Sequence, residues 1–191
     1  MSLRIVIPVR PLGQGKTRLS PALSGPARAE LARAMFAHVQ TVARTLAPVH
    51  VISRDPAVLA MADHPIHESG EGLNPALEQA ARELGGTGPL LALSADLPLL
   101  TGEDLAAMIA LLNEAEVIAA PDRLGLGTNA LLLTRPGLIA YRFGPDSLAA
   151  HRDAALAAGL RFACCERAGL ASDVDRPEDL AVLPPGLASA A

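Results

Sequence analysis

Short apolar runs alternate with longer mixed segments along the whole chain, and this alternation predicts strands and helices in turn. Residues 3–9 are β-branched and apolar, and too few for a globular helix, so they form a buried strand. Ser24 then offers an N-cap and Pro26 suits a first helical turn. Residues 27–46 follow as a helix with Leu31, Met35, Val39 and Val42 on one face. Residues 49–53, 89–94, 117–120, 129–134 and 161–165 repeat the strand pattern. Helical stretches fall at 56–62, at 74–84, from Thr101 to about 113, and at 146–158. Thr101 has Asp104 three residues on in a near capping-box arrangement. His64, Pro65 and His67 sit in a turn-rich surface stretch, while Met35, Met61 and Met108 fall on apolar helical faces and belong to the core.

This order predicts a three-layer α/β/α sandwich on a mainly parallel, mixed sheet covered on both faces. Ligands then collect beyond the carboxyl ends of the strands. No linker or repeat interrupts residues 1–183, which form a single domain, and the Pro, Gly, Ala and Ser content of 184–191 predicts a loosely held tail. A domain this size buries roughly 70% of the surface its unfolded chain exposes, so no disulfide or metal staple is needed. Cys164 and Cys165 are adjacent, point to opposite faces of a strand, and are expected as unpaired core thiols. The apolar runs are too short to span a bilayer and the N-terminus lacks a secretory h-region, so a cytoplasmic location and no membrane partner are expected. A net charge of -4 argues against a general nucleic-acid binder, though local cations can still gather a small anion.

Such cations follow the first strand. The loop Pro8-Val9-Arg10-Pro11-Leu12-Gly13-Gln14-Gly15-Lys16-Thr17-Arg18 contains the only lysine of the chain between two arginines. Glycines there let backbone N–H groups approach an anion, which predicts a phosphate site. A P-loop would need glycine where Arg10 stands, and its helix would have to absorb Pro21 at a cost of about 3 kcal/mol. Asp96, at the end of the strand at 89–94 and turned outward by Pro98, is a candidate Mg2+ ligand. Asp173 and Asp175 share one side of an extended segment, where their like charges call for a cation or solvent between them. Asp175 also suits the cap of a helix opened by Pro177, with Glu178 as its partner, but that leaves Asp173 unexplained. The Gly-bearing turns at 121–131 and 143–147, with Thr128, Asn129 and Ser147, can present donors to a carboxylate or phosphate. The five histidines show no ligand spacing.

In this order the motifs resemble the CofC/FbiD family, the guanylyltransferases of coenzyme F420 biosynthesis in the nucleotide-diphospho-sugar transferase (GT-A-like) superfamily. The resemblance rests on Ile7-Pro8-Val9-Arg10-Pro11-Leu12 with Lys16-Thr17-Arg18-Leu19, on Leu73-Asn74, and on Ala95-Asp96-Leu97-Pro98-Leu99-Leu100. It continues through Gly127-Thr128-Asn129-Ala130-Leu131, Phe143-Gly144-Pro145 with Ser147, and Asp173-Val174-Asp175 with Pro177-Glu178-Asp179-Leu180. It implies GMP transfer from GTP to the phosphate of a three-carbon acid, phosphoenolpyruvate, 2-phospholactate or 3-phosphoglycerate, with release of pyrophosphate. It implies that Asp96, Asp173 and Asp175 hold Mg2+, and that Thr128, Gly144 and Ser147 hold the acceptor acid. Lys16 with Arg10, Gly13, Gly15 and Arg18 would hold the GTP phosphates, and Pro8 and Asn74 would lie near the nucleoside. Arg10 replaces a common lysine of the family and Gly15 a common alanine. Two other classes fit part of the pattern. A P-loop-like kinase would use residues 13–17 and Asp96 but leave Asp173 and Asp175 idle, and a non-catalytic nucleotide-binding module would need no acceptor site. The exposed glycine- and leucine-rich segment at 124–126 is a candidate homodimer surface.

Overall fold

Ile5, Val6 and Ile7 are all fully buried although neighbouring side chains on a strand face opposite ways, so their strand must lie between two covering layers. A computed structural model describing residues 2–189 has that form. Its strands are β1 (Arg4–Pro8), β2 (Val49–Ser53), β3 (His64–His67), β4 (Leu90–Leu93), β5 (Val117–Pro121), β6 (Thr128–Leu133) and β7 (Phe162–Cys164). They form one sheet in the order β3-β2-β1-β4-β6-β5-β7. β6 alone runs antiparallel to its two neighbours, and every other pairing is parallel. The sheet is therefore mainly parallel but mixed, and the start of β6 lies at the same edge as the ends of β1, β4 and β5.

The helices are α1 (Gly25–Arg44), α2 (Pro56–Leu59), α3 (Leu73–Leu84), α4 (Gly102–Ala110), α5 (Ser147–Ala157), α6 (Ala168–Ala171) and α7 (Pro185–Ala188). Ile5, Ile7, Leu91 and Leu93 meet Phe36 and Val39 of α1 and Leu105 and Met108 of α4 on one face. Val6, Leu90 and Ala92 meet Ala76, Leu77 and Ala80 of α3 and Ala155 of α5 on the other. Ser24 caps α1, its Oγ accepting from the Ala27 N–H, and Thr101 with Asp104 closes the capping box of α4. Among the described residues no helix is long and apolar enough to cross a membrane.

The structure departs from the sequence pattern in four places. The stretch at 64–67 is a strand, because Pro65 is tolerated on the sheet edge and only Ile66 turns inward. Only Cys165 is a core thiol, since Cys164, the last residue of the edge strand β7, is exposed. Pro177–Val182 is a 3-10 helix, and the carboxylate that caps it is Asp179, which accepts at 2.8 Å from the N–H groups of both Asp175 and Arg176. Asp175 and Glu178 therefore do not form the expected cap. Finally, the segment expected as a loose tail from 184 adds the turn α7, with Leu183 and Leu187 packed on Leu19, Leu31 and Met35, because these leucines cover an apolar patch that α1 leaves open. Ala190 and Ala191 of that segment lie outside the described residues.

Candidate active site

Leu19 and Val174 build the site although neither carries chemistry. Both are fully buried, in one cluster with Leu31 and Met35 of α1. Burying Val174 sends its neighbours Asp173 and Asp175 the other way, and burying Leu19 brings the preceding loop over them. The Val174 N–H donates to the Asp96 carbonyl at 3.3 Å, so the three aspartates share one mouth beyond the carboxyl ends of β1 and β4.

Lys16 is the centre of this mouth. Its ammonium donates to Asp96 Oδ2 and, at 2.8 Å, to Asp175 Oδ1, while Arg18 stands 3.7 Å from Asp175 Oδ2. Burial alone would lower the Lys16 pKa, but the two carboxylates outweigh it and the group is pushed up to about 12. Lys16 adopts a left-handed backbone, φ 55°, a conformation that costs a side-chain-bearing residue of order 1 kcal/mol. Asp146, just before α5, is the other such residue among those described, so both sit in loops of this site. The loop is not a P-loop. Thr17–Leu19 is a single 3-10 turn, and Pro21 falls between it and α1. The Leu12 N–H is held by Asp55 Oδ2 at 3.0 Å. Arg10, Gly13 and Arg18 are exposed around the mouth, and Pro8 ends β1 beneath it.

Asp173 has a perturbed carboxyl. Burial pushes its carboxyl up, the Asn129 hydrogen bond at 3.1 Å offsets part of that, and the charges of Asp96 and Asp175 push it up further. Asn129 also donates to the Leu170 carbonyl at 3.0 Å, which ties Asp173 to α6. The three aspartates do not close around a common point, and among the described residues no group of three such side chains is arranged to hold an ion. The expected three-aspartate cation site is thus not assembled in this state, because the Lys16 ammonium stands between Asp96 and Asp175 and offsets their repulsion.

On the other face of β6, Thr128 meets Ser147 and His151 of α5. Ser147 Oγ donates to Thr128 Oγ1 at 3.1 Å, and His151 Nδ1 lies 3.2 Å from the same oxygen. All three side chains are buried. Gly144 precedes them with φ 138°, a conformation that favours glycine. Thr128, Gly144 and Ser147 therefore lie together. Asn74 lies next to this loop. Its amide pairs with the Phe143 backbone through both polar atoms, at 3.0 and 2.8 Å, and so braces the loop ahead of Gly144.

Two further side chains touch these groups. His151 lies four residues after Ser147, hence on the same helical face, and that spacing was its visible signal. Asp179 lies four after Asp175 and receives Arg123 from the turn between β5 and β6. Leu124 and Leu126, at 67% and 53% exposure, cap that turn.

His151 also makes the fold acid-sensitive. Burial, aided by the Arg142 charge, pushes it down to about 4, against about 6.5 in an unfolded chain. The unfolded state therefore binds the extra proton between those values, and stability that is complete above pH 6.5 declines as pH falls toward 4. Between pH 7 and pH 5 this is worth about 2 kcal/mol. Urea midpoints of wild type and His151→Asn at both pH values should show the larger acid loss in wild type, and equal losses would refute it.

Comparison with known proteins gives the family. The family model described as "Guanylyl transferase CofC like" matches residues 3–184. The chain is 43% identical over 192 residues to a phosphoenolpyruvate guanylyltransferase from Rubrobacter xylanophilus, covering 96% of this chain and 94% of that one. It is 36% identical to a protein of the same name from Chloroflexus aggregans, covering 92% and 94%. It is 32% identical to a 2-phospho-L-lactate guanylyltransferase from a Methanocaldococcus species, covering 93% and 79%. Among solved structures, a Desulfovibrio desulfuricans protein described as a nucleotide-diphospho-sugar transferase superposes with a TM-score of 0.75 at 19% identity, covering 95% and 86%. A 4-diphosphocytidyl-2C-methyl-D-erythritol synthase from Anaerococcus prevotii gives 0.61 at 10% identity, covering 93% and 92%, so the likeness there is one of fold. With a family match over nearly its whole length and relatives well above 30% identity, the chain belongs to the CofC-like guanylyl transferases.

Proposed function

We propose that this enzyme transfers GMP from GTP to the phosphate of phosphoenolpyruvate, releasing pyrophosphate, as a step in assembling coenzyme F420. The observation that carries this is that Lys16 gathers Asp96 and Asp175, while the start of β6 holds Asp173 through Asn129 on one face and places Thr128 against the Ser147 hydroxyl on the other. The first group suits a nucleoside triphosphate and the second a small anionic acid. Support for the acceptor comes from the relatives named phosphoenolpyruvate guanylyltransferase.

The chemistry asks little of acid or base groups. A phosphate oxygen of the acceptor forms a bond to the α-phosphorus of GTP, and the bond from that phosphorus to the bridging oxygen breaks as pyrophosphate leaves. The nucleophile is already ionised, so no proton moves. Rate then depends on alignment and on neutralising charge. Arg10, Lys16 and Arg18 bring positive charge to the leaving pyrophosphate, and the Gly13 and Gly15 backbone lets the phosphates approach closely. Thr128, Gly144 and Ser147 seat the acceptor. The carboxylates of Asp96, Asp173 and Asp175 form an all-oxygen donor set that suits a hard divalent cation such as Mg2+, once Lys16 turns to the phosphates. When bound, that ion supplies a charge template for the reacting phosphates.

The test is pyrophosphate release with Mg2+, running GTP, ATP, CTP and UTP against phosphoenolpyruvate, 2-phospholactate, 3-phosphoglycerate and no acceptor. Release is expected only with GTP and phosphoenolpyruvate together. Release with GTP and another acid reassigns the acceptor, whereas inorganic phosphate or a nucleoside diphosphate as product would overturn the transferase.

A further inference from the structure

We infer that His151, fully buried and outside the expected site residues, is a positioning residue that sets the direction of the hydrogen bonds offered to the acceptor acid. The inference rests on the proposed acceptor site at Thr128 and Ser147.

The loop ahead of Gly144 is held by side chains at three successive N–H groups. Tyr141 N–H donates to Glu78 Oε1 at 3.1 Å, Arg142 N–H to His151 Nε2 at 3.0 Å, and Phe143 N–H to Asn74 Oδ1 at 2.8 Å. Only His151 among these three holders also reaches the hydroxyl pair. Its Nε2 accepts from a backbone N–H and so carries no proton. In the neutral ring the proton must then be on Nδ1, which donates to Thr128 Oγ1. Burial favours that neutral form.

The direction of this chain decides what the ligand meets. Thr128 Oγ1 receives the His151 N–H and also the Ser147 hydroxyl. Its own hydrogen is then the one left to donate, and an anionic acceptor needs a donor there. Were the ring proton on Nε2, Nδ1 would instead accept from Thr128, the chain would run Ser147 to Thr128 to His151, and the pair would offer the acid only lone pairs. The Arg142 backbone, by claiming Nε2, excludes that arrangement. Phe143 packs edge-on against the ring at 5.1 Å and limits its rotation.

Two measurements test this. Nitrogen chemical shifts of the His151 ring in wild type, between pH 6 and 8, should show Nδ1 protonated and Nε2 bare. The opposite tautomer, or a charged ring in that range, overturns the inference. Steady-state kinetics of His151→Phe and His151→Gln, which lack a donor at the Nδ1 position, should show KM for phosphoenolpyruvate raised about tenfold or more with KM for GTP within about twofold. His151→Asn, which can place an amide N–H where Nδ1 stands, should recover most of the loss. An unchanged KM for the acid in His151→Phe overturns the inference, as does an equal rise in both KM values with no recovery in His151→Asn, which would mark a merely structural role. Failure of the acceptor assignment itself is read separately, because wild type would then release no pyrophosphate with this acid whatever the state of His151.

Discussion

Asp96→Ala is expected to lower kcat/KM by about 10³ or more, equivalent to about 4 kcal/mol of transition-state stabilisation. The same substitution should shift Tm by less than about 3 °C. Asp96 is partly exposed at the mouth and adds its charge to those already pressing on Asp173, so removing it relieves repulsion while Lys16 retains Asp175. The chemistry has no such substitute, because the proposed cation that would offset charge at the reacting phosphates would lose one of its three carboxylates, and Asp173 and Asp175 are held by Asn129 and Lys16 on their own segment. Pyrophosphate release and thermal melting of the same preparation check both halves. A variant within about tenfold of wild type would remove Asp96 from the catalytic group.

Gly169→Ala should act in the opposite sense, through the fold. A Cβ at Gly169 would run into the Asp104 carboxylate and come within 2.7 Å of the Leu99 carbonyl oxygen. The carboxylate cannot step aside. Its Oδ2 accepts from the Thr101 N–H at 3.0 Å and hydroxyl at 2.7 Å, and its Oδ1 accepts from Arg167 at 2.9 Å. Overpacking at such a point costs about 3 kcal/mol, which in a domain this size lowers Tm by roughly 6–12 °C. Activity should fall as well at temperatures where the variant is still folded. α6 carries the Leu170 carbonyl that anchors Asn129, and Asn129 orients Asp173. A melt within about 2 °C of wild type would show that α6 moves freely and that Asp173 is held by other contacts.

The elements that were legible in the sequence are those whose side-chain period matched their burial. Thr101 with Asp104 announced α4, Ser24 with Pro26 announced α1, and the unbroken apolar runs of β1, β4 and β6 announced strands covered on both faces. β3 was not legible, because an edge strand with a single inward residue leaves no alternation to detect. The short 3-10 helix after Asp175 misled for a local reason. Asp175, Glu178 and Asp179 all suit a cap by sequence, and only the burial of Asp179 and its ion pair with the exposed Arg123 select it.

The same division runs through the site. The chain by itself determined that cations follow β1, that a carboxylate ends β4, and that two more flank a buried valine, since each depends only on neighbours in sequence. It did not determine that Lys16 reaches Asp96 and Asp175, 80 and 159 positions away, or that Asn129 supports Asp173. Nor did it show that Asn74 braces Phe143, or that His151 faces Thr128. Those pairings follow from a crossover topology in which β6 is inserted antiparallel between β4 and β5, bringing its first residues to the edge where the parallel strands end. A hydrogen bond between distant residues has no local signature, because its partner is chosen by the packing that closes the loop between them.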